Sequence, residues 1–330
     1  MLHLEKLSAP SARRLPVWLI AGASVLALAA CGGEDPLSEE TAAPETTETG
    51  DAAAPEGAPA DEEAAAPAAG VSLDDILAGE WRAEDSARDG SRNPGETLAF
   101  FGLEPGMTVI EVWPGGGWYT NILAPYLAQT EGQYIAAGFD PAAPSEYVQR
   151  NLKRFQETYV DRPDLYGAIE TAALSAESGP LVAPGSADMA LTFRNVHNWM
   201  TNDFAEKAFA DFFAALKPGG VLGVVEHRAA EGAELDPKAR SGYVTEAFVI
   251  ELAEGAGFVL EESAEINANP KDTKDHPFGV WTLPPSLRTA GYGEEADETF
   301  DTAPFEAIGE SDRMTLRFRK PAAEAGDGGE

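Results

Sequence analysis

From Thr108 onward the chain alternates short apolar runs with amphipathic stretches, and this alternation narrows the possible folds more than any other feature. Thr108-Val109-Ile110-Glu111-Val112 reads as a short buried strand, 119–127 as the helix after it, 134–139 as a second strand and 145–160 as a second helix. A third strand is placed near Ala168, and a fourth over 187–193. Asp203 followed by Glu206 reads as a capping box, in which side chains at both positions satisfy the first free N–H groups of a helix. That helix spaces Phe204, Ala208, Phe212 and Leu216 along one face, with Phe209 and Phe213 beside them. Lys217-Pro218-Gly219-Gly220 ends it, since proline and paired glycines both break helix. A strand over 221–226, a helix over 245–256 and a strand from Phe258 follow. Met314, Leu316 and Phe318 alternate with Thr315, Arg317 and Arg319, the period of a half-buried strand at or near a sheet edge. Strands in alternation with helices predict a parallel sheet covered on both faces. Ser72 to Phe101 is expected to hold helical pieces broken at Gly90 and Pro94. The long Pro/Gly-rich stretch 267–312 is expected to be a lid, because long insertions in compact domains are commonly functional.

The first seventy residues differ in kind. Arg13-Arg14 precede an uncharged run from Leu15 to Ala30, which falls short of the about 20 apolar residues a bilayer span needs. A basic start, an apolar middle and small residues at the end have the shape of a secretory signal. Leu28-Ala29-Ala30-Cys31-Gly32 resembles the bacterial lipobox, whose cysteine is lipidated and becomes the new N-terminus. Cys31 is the only cysteine in the chain, which excludes an intrachain disulfide and a cysteine-rich zinc site. Between Gly32 and Gly70 the chain is mostly Ala, Pro, Glu, Thr and Asp, without Lys or Arg. Such a segment cannot bury enough apolar surface to offset its entropy and is expected to be an extended spacer. The expected organisation is therefore a signal over 1–30, a linker over 31–71 beginning at Cys31, a domain over 72–322 and a disordered tail over 323–330. On this reading the protein lies in a bacterial cell envelope, facing the periplasm, with a lipid as its only hold on the membrane. Charge points away from nucleic acid: 56 Asp+Glu oppose 23 Lys+Arg, a net −33 that repels phosphate backbones.

The richest segment joins the first strand to its helix: Glu111-Val112-Trp113-Pro114-Gly115-Gly116-Gly117-Trp118-Tyr119-Thr120. Ligands of doubly wound sheets bind beyond the carboxyl ends of the strands, and glycines there let a ligand reach the backbone. A dinucleotide fingerprint requires a glycine three residues after the second one, where this chain has Thr120. No Gly-Lys-Ser/Thr follows, so the loop is not a Walker A motif. A carboxylate at the strand end, Glu111, disfavours phosphate and suits a cationic ligand.

Glu111-x-x-x-Gly115-x-Gly117 is similar to motif I of class I S-adenosylmethionine-dependent methyltransferases, with Trp113 where the first glycine is usual. The run 113–120, together with Arg88-Asp89-Gly90-Ser91-Arg92-Asn93-Pro94-Gly95-Glu96-Thr97-Leu98-Ala99-Phe100-Phe101-Gly102, resembles a bacterial group of predicted methyltransferases. Leu216 to Gly220 and Ala256-Gly257-Phe258 resemble later landmarks, so the likeness covers about 73–320. It implies a doubly wound, mostly parallel seven-stranded α/β sheet with a reversed last strand. It implies S-adenosyl-L-methionine as cofactor, with Glu111 toward its methionine end and the backbone of Trp113, Pro114, Gly115, Gly116 and Gly117 close to it. Asp140 is the nearest acid for the ribose, although a turn residue before Pro141 is an equal reading.

Methyl transfer from a sulfonium mainly requires alignment, and a base only when the nucleophile arrives protonated. Phe193-Arg194-Asn195-Val196-His197-Asn198-Trp199 follows the fourth strand, placing Asn195 near the cofactor and His197 as the candidate base; a structural histidine is the competing reading. Glu226-His227-Arg228 reads either as substrate-orienting or as a solvated loop, and Arg92 with Glu96 as a cover for the cofactor or a surface ion pair. Trp118 and Tyr119 wall the pocket or pack the core. The spacing of His197, His227 and His276 is not that of a metal site, and no metal is expected. The expected activity is methyl transfer to a small molecule or an envelope component; the alternative is a ligand-binding lipoprotein that keeps the fold without turnover.

Overall fold

The structure, a computed structural model, describes residues 70–322. The signal segment, Cys31, the linker up to residue 69 and the tail over 323–330 lie outside the described residues.

Seven strands form one sheet: β1 (Thr108–Val112), β2 (Gln133–Gly138), β3 (Glu170–Ala173), β4 (Ala187–Phe193), β5 (Leu216–His227), β6 (Val259–Ala264) and β7 (Arg313–Arg319). Their order is β3-β2-β1-β4-β5-β7-β6. β1 is parallel to β2 and β4, β4 is parallel to β5, and β7 runs antiparallel to both β5 and β6. The doubly wound sheet with a reversed last strand is thus present. β1 is followed by β2 on one side and flanked by β4 on the other, so the strand order reverses beside it.

Both faces are covered. On one, Trp199, Phe209, Phe212, Val249 and Leu252 from the helices Val196–Thr201, Ala205–Ala215 and Glu246–Gly255 pack against Ile110, Ala190, Leu222 and Leu316. On the other, Leu98, Phe101, Ile122 and Leu123 from Pro94–Phe101 and Thr120–Gln129 meet Val109, Met189 and Leu191. Gly223 on β5 makes this closeness possible: a Cβ there would lie 2.8 Å from the Phe101 ring. β7 sits one strand in from the edge, and its Thr315 is as buried as its apolar neighbours, its Oγ1 accepting from Asn267 Nδ2 at 3.0 Å. β6 is the edge, lined by Glu261 and Glu262, which pair with Arg317 and Arg319; charges on an edge discourage further strand pairing.

Three local expectations are corrected. Asp203 caps no helix: its backbone is left-handed at φ 58, the helix begins at Ala205, and the Asp203 carboxylate receives Lys238 Nζ at 2.5 Å. Pro94 starts a helix rather than breaking one, because a proline at the first position gives up an N–H that has no partner there. Gly90 lies inside the short helix Asp89–Arg92. No helix among the described residues is long and apolar enough to cross a membrane.

Candidate active site

The glycine loop stands at the carboxyl end of β1, where the strand order reverses. Trp113 continues the ladder by donating its N–H to Ala137 O at 2.8 Å, then turns into the left-handed region at φ 47. A non-glycine residue pays roughly 1–2 kcal/mol for that conformation. Trp113 is held by its ring, which is buried among Phe139 (4.8 Å), Phe204 (5.8 Å) and Trp199 (6.1 Å), while Nε1 donates to Leu174 O at 3.1 Å. Gly115 and Gly116 are exposed, and a Cβ on either would meet nothing within 4 Å. Gly117 differs from the expectation of bare backbone facing a ligand. The Tyr159 ring occupies that space, 2.2 Å from where a Cβ would stand, and Tyr159 Oη donates to Gly116 O at 2.8 Å. Beside the loop, Trp113, Pro114, Gly115, Gly138, Phe139 and Phe155 line an apolar hollow of about 60 Å³.

Glu111 is 2 % exposed. Its Oε2 accepts from Tyr134 Oη at 2.6 Å and from Thr120 Oγ1 at 3.0 Å, so it ties the start of the next helix to β2. Burial pushes its carboxyl up to about 7, against the lowering effect of the two hydroxyl hydrogen bonds. Asp140, just past β2, accepts from Ala142 N at 2.8 Å as a turn residue does, and from Ser175 Oγ at 3.3 Å. Asn195 donates to Val112 O at 2.9 Å and Trp113 O at 3.3 Å, fastening the end of β4 to the base of the loop.

The fit to S-adenosylmethionine is divided. The clear backbone of Gly115 and Gly116 beside an apolar hollow suits a flat ring. A hollow of about 60 Å³ is far below the roughly 300 Å³ at which small-molecule pockets begin, so most of such a ligand would lie along the outer loop.

A second group gathers on the same edge, at the ends of β4 and β5. His197 is buried, with Nδ1 at 3.0 Å from Glu226 Oε1. Glu226 also accepts from Val196 N at 2.6 Å and His227 N at 2.8 Å. A carboxylate engaged this way acts as acceptor, so His197 donates to it through Nδ1. Trp281, from the 267–312 stretch, stands edge-on to His197 at 6.0 Å and covers it. His227 Nδ1 lies 2.5 Å from Ser311 Oγ. Burial holds the His227 imidazole well below its usual range, helped by His197 and by Arg194, Arg313 and Arg92. Glu226 and His227 are therefore core groups rather than a solvated loop. Ligand atoms of His197, Glu226 and His227 lie within 4.8 Å of one another, a grouping that the spacing of the histidines did not suggest. His276 is elsewhere, on Asp272 at 2.8 Å.

Arg92 is not part of a surface ion pair. It is 3 % exposed, lies over the Trp118 ring at 4.6 Å and pairs with Glu310 at 3.2 Å, while Glu96 is exposed. Arg88, Arg194 and Arg313 reach the same carboxylate. Burial alone would raise Glu310, but Arg92, Arg313, Arg194 and Arg88 outweigh it and hold the carboxyl at about 2. Tyr119 lies flat on Phe193, ring centroids 3.5 Å apart, and burial pushes its phenol up to about 12. Trp118 packs within the core and donates to Asp85 O at 3.0 Å.

No protein-family model matches the chain, and no curated protein matches it. Among solved structures it is similar to the [4+2]-cyclase SpnF, at 14 % identity over 71 % of this chain and 81 % of that one, TM-score 0.48. A SAM-dependent methyltransferase from Aquifex aeolicus shares 19 % identity over 60 % and 94 %, TM-score 0.44. An S-adenosylmethionine-dependent methyltransferase from Mesorhizobium loti shares 15 % over 70 % and 99 %, TM-score 0.43. A fold hosts many activities, so function is argued from the site.

Proposed function

We propose that the domain is an S-adenosylmethionine-dependent methyltransferase acting on a small molecule or an envelope component. The observation that carries this reading is the loop. Gly115 and Gly116 offer open backbone at the reversal in strand order, the place where doubly wound sheets bind ligands. Dinucleotide and Walker patterns are absent from it, and the acid beneath it suits a cation above about pH 7, where it is ionised. The cofactor would be held by the backbone of Trp113 to Gly116, by Asp140 and by the field of Glu111, with Asn195 and Gly117 fixing the loop's shape. When bound, it supplies a methyl group activated on a sulfonium. The chain's own part is to align the acceptor and keep water out. His197, oriented by Glu226, takes a proton at Nε2 from an acceptor that arrives protonated. The 267–312 stretch, through Trp281, must swing away for the acceptor to reach that ring.

Calorimetry of the wild type with S-adenosylmethionine tests the reading. Gly116→Val should weaken binding at least tenfold while nearly preserving the ligand-free melting temperature, because a Cβ there meets no protein atom within 4 Å. Methyl transfer should fall in His197→Gln with cofactor affinity kept. A wild type that binds no S-adenosylmethionine, or a Gly116→Val protein that binds it equally well, defeats the assignment.

The lipid anchor belongs to the same proposal and rests on the lone cysteine at 31. Cys31→Ser expressed in a bacterium should move the protein from the membrane pellet to soluble or unprocessed forms; unchanged pelleting would show that no lipid at this residue holds it.

A further inference from the structure

Four guanidinium groups share one carboxylate at the carboxyl edge of the sheet. The distances to Glu310 are 2.7 Å from Arg88 Nη2, 3.2 Å from Arg92 Nε, 3.2 Å from Arg313 Nη1 and 3.7 Å from Arg194 Nη1. Buried charges are ordinarily paired, and here cations outnumber the anion by three. The excess is not forced by composition, since the chain has 56 acids against 23 basic residues and places four of the latter together. Donor capacity of Arg92 and Arg194 is also unspent, whereas Arg313 donates to Ser311 O at 3.0 Å and Ser91 O at 2.8 Å. Among the described residues Arg194 has no acceptor other than Glu310, and Arg92 donates only through Nε, leaving its terminal nitrogens without a protein acceptor.

Placement adds to the argument. Arg194 enters the nest through a left-handed backbone at φ 63, directly after β4 and next to Asn195. Arg313 opens β7 opposite His227, the residue with which it is paired across the sheet. Among the described residues His227 Nε2 is buried without a hydrogen-bond partner, in a side chain only 6 % exposed. The edge that carries the glycine loop therefore also carries a pre-built receptor for negative charge, with an unspent histidine nitrogen beside it. Planar guanidinium forks match carboxylate and phosphate oxygens in pairs.

We propose that Arg92, Arg194 and Arg313 form an anion site that receives the carboxylate or phosphate group of a small molecule, with Glu310 as the resident counter-charge. The binding itself stands alone; that the anion is the methyl acceptor rests on the function proposed above. A metal at His197, Glu226 and His227 fits less well, because Glu226 is already satisfied by three N–H donors and the arginines would repel a cation.

The test titrates inorganic phosphate and, separately, succinate against the full domain at constant ionic strength set with chloride, following melting temperature and heat. The wild type should show saturable binding of one or both, and the stronger of the two identifies the group. Arg194→Gln, which removes only a 3.7 Å contact, should keep its ligand-free melting temperature and lose at least tenfold in affinity. Glu310→Gln removes the competing carboxylate and should bind the same anion at least tenfold more tightly, its melting temperature recovering as anion is added. Absence of saturable binding in both the wild type and Glu310→Gln overturns the proposal, as does an Arg194→Gln protein with wild-type affinity. S-adenosylmethionine titrated into the same proteins keeps the two claims apart. Its failure to bind while the anion binds removes the methyltransferase reading alone, and the converse removes the anion site alone.

Discussion

Trp113→Ala is expected to cost about 3–5 kcal/mol, the range for deleting a large aromatic side chain from a core. The ring has no substitute: it lies between Phe139, Phe204 and Trp199 and holds the Leu174 carbonyl through its N–H. For a domain of this size that corresponds to a fall in melting temperature of roughly 6–20 °C. The backbone adds a second signature. Glycine usually costs about 0.5–1 kcal/mol more than alanine in regular structure, but at φ 47 it removes strain that alanine keeps. Trp113→Gly should therefore be at least as stable as Trp113→Ala. Urea unfolding of the pair decides the matter; a loss under 1 kcal/mol in Trp113→Ala, or a less stable glycine variant, would contradict the packing described.

The second large effect is Glu111→Gln, read against pH. The folded protein holds this carboxyl at about 7, above its ordinary 4.5, because burial opposes the charged form. Between those values the folded state keeps a proton that the unfolded state has lost. Glu111 therefore favours folding most at low pH, and this contribution is lost as pH rises from about 4.5 to about 7. At 1.36 kcal/mol per unit the loss approaches about 3 kcal/mol. His227 and Glu310 work in the opposite sense: each is depressed, so each lends stability above its ordinary range and loses it as pH falls. The measurement is consequently a difference. Stability of wild type minus Glu111→Gln should decline by about 3 kcal/mol from pH 4.5 to 7.5, with the glutamine still accepting from Tyr134 and Thr120. A difference independent of pH would mean that the carboxyl ionises as it does in water.

The elements legible in the sequence were those set by local rules. β4 matches residue for residue, and the helix expected over 145–160 begins at Glu146, with Ser145 found as its cap. The last strand was visible because Met314, Leu316 and Phe318 alternate, whereas its reversal was implied only by the resemblance. What escaped depends on backbone angles or on distant partners. Asp203 has the residue type and spacing of a cap, yet its left-handed φ turns the side chain away from the helix. Gly117 reads like its neighbours, and only Tyr159 distinguishes it. Arg92 and Glu310 lie 218 residues apart, beyond any spacing rule, and nothing near Glu226 in sequence announces His197. The loop was readable, whereas the polar cluster facing it had to be assembled by the sheet.

β7 inserts between β5 and β6 and, with Glu310 just before it, carries the last polar partners of the site to Arg88 and Arg92. Synthesis runs from Arg88 and Arg92 toward Glu310, so a growing chain carries those cations before their counter-charge exists. Until β7 is available, the sheet lacks the strand that joins β5 to β6. A chain cut before residue 310 is therefore deprived of both the shared counter-charge and the inner strand β7, rather than of an edge strand alone.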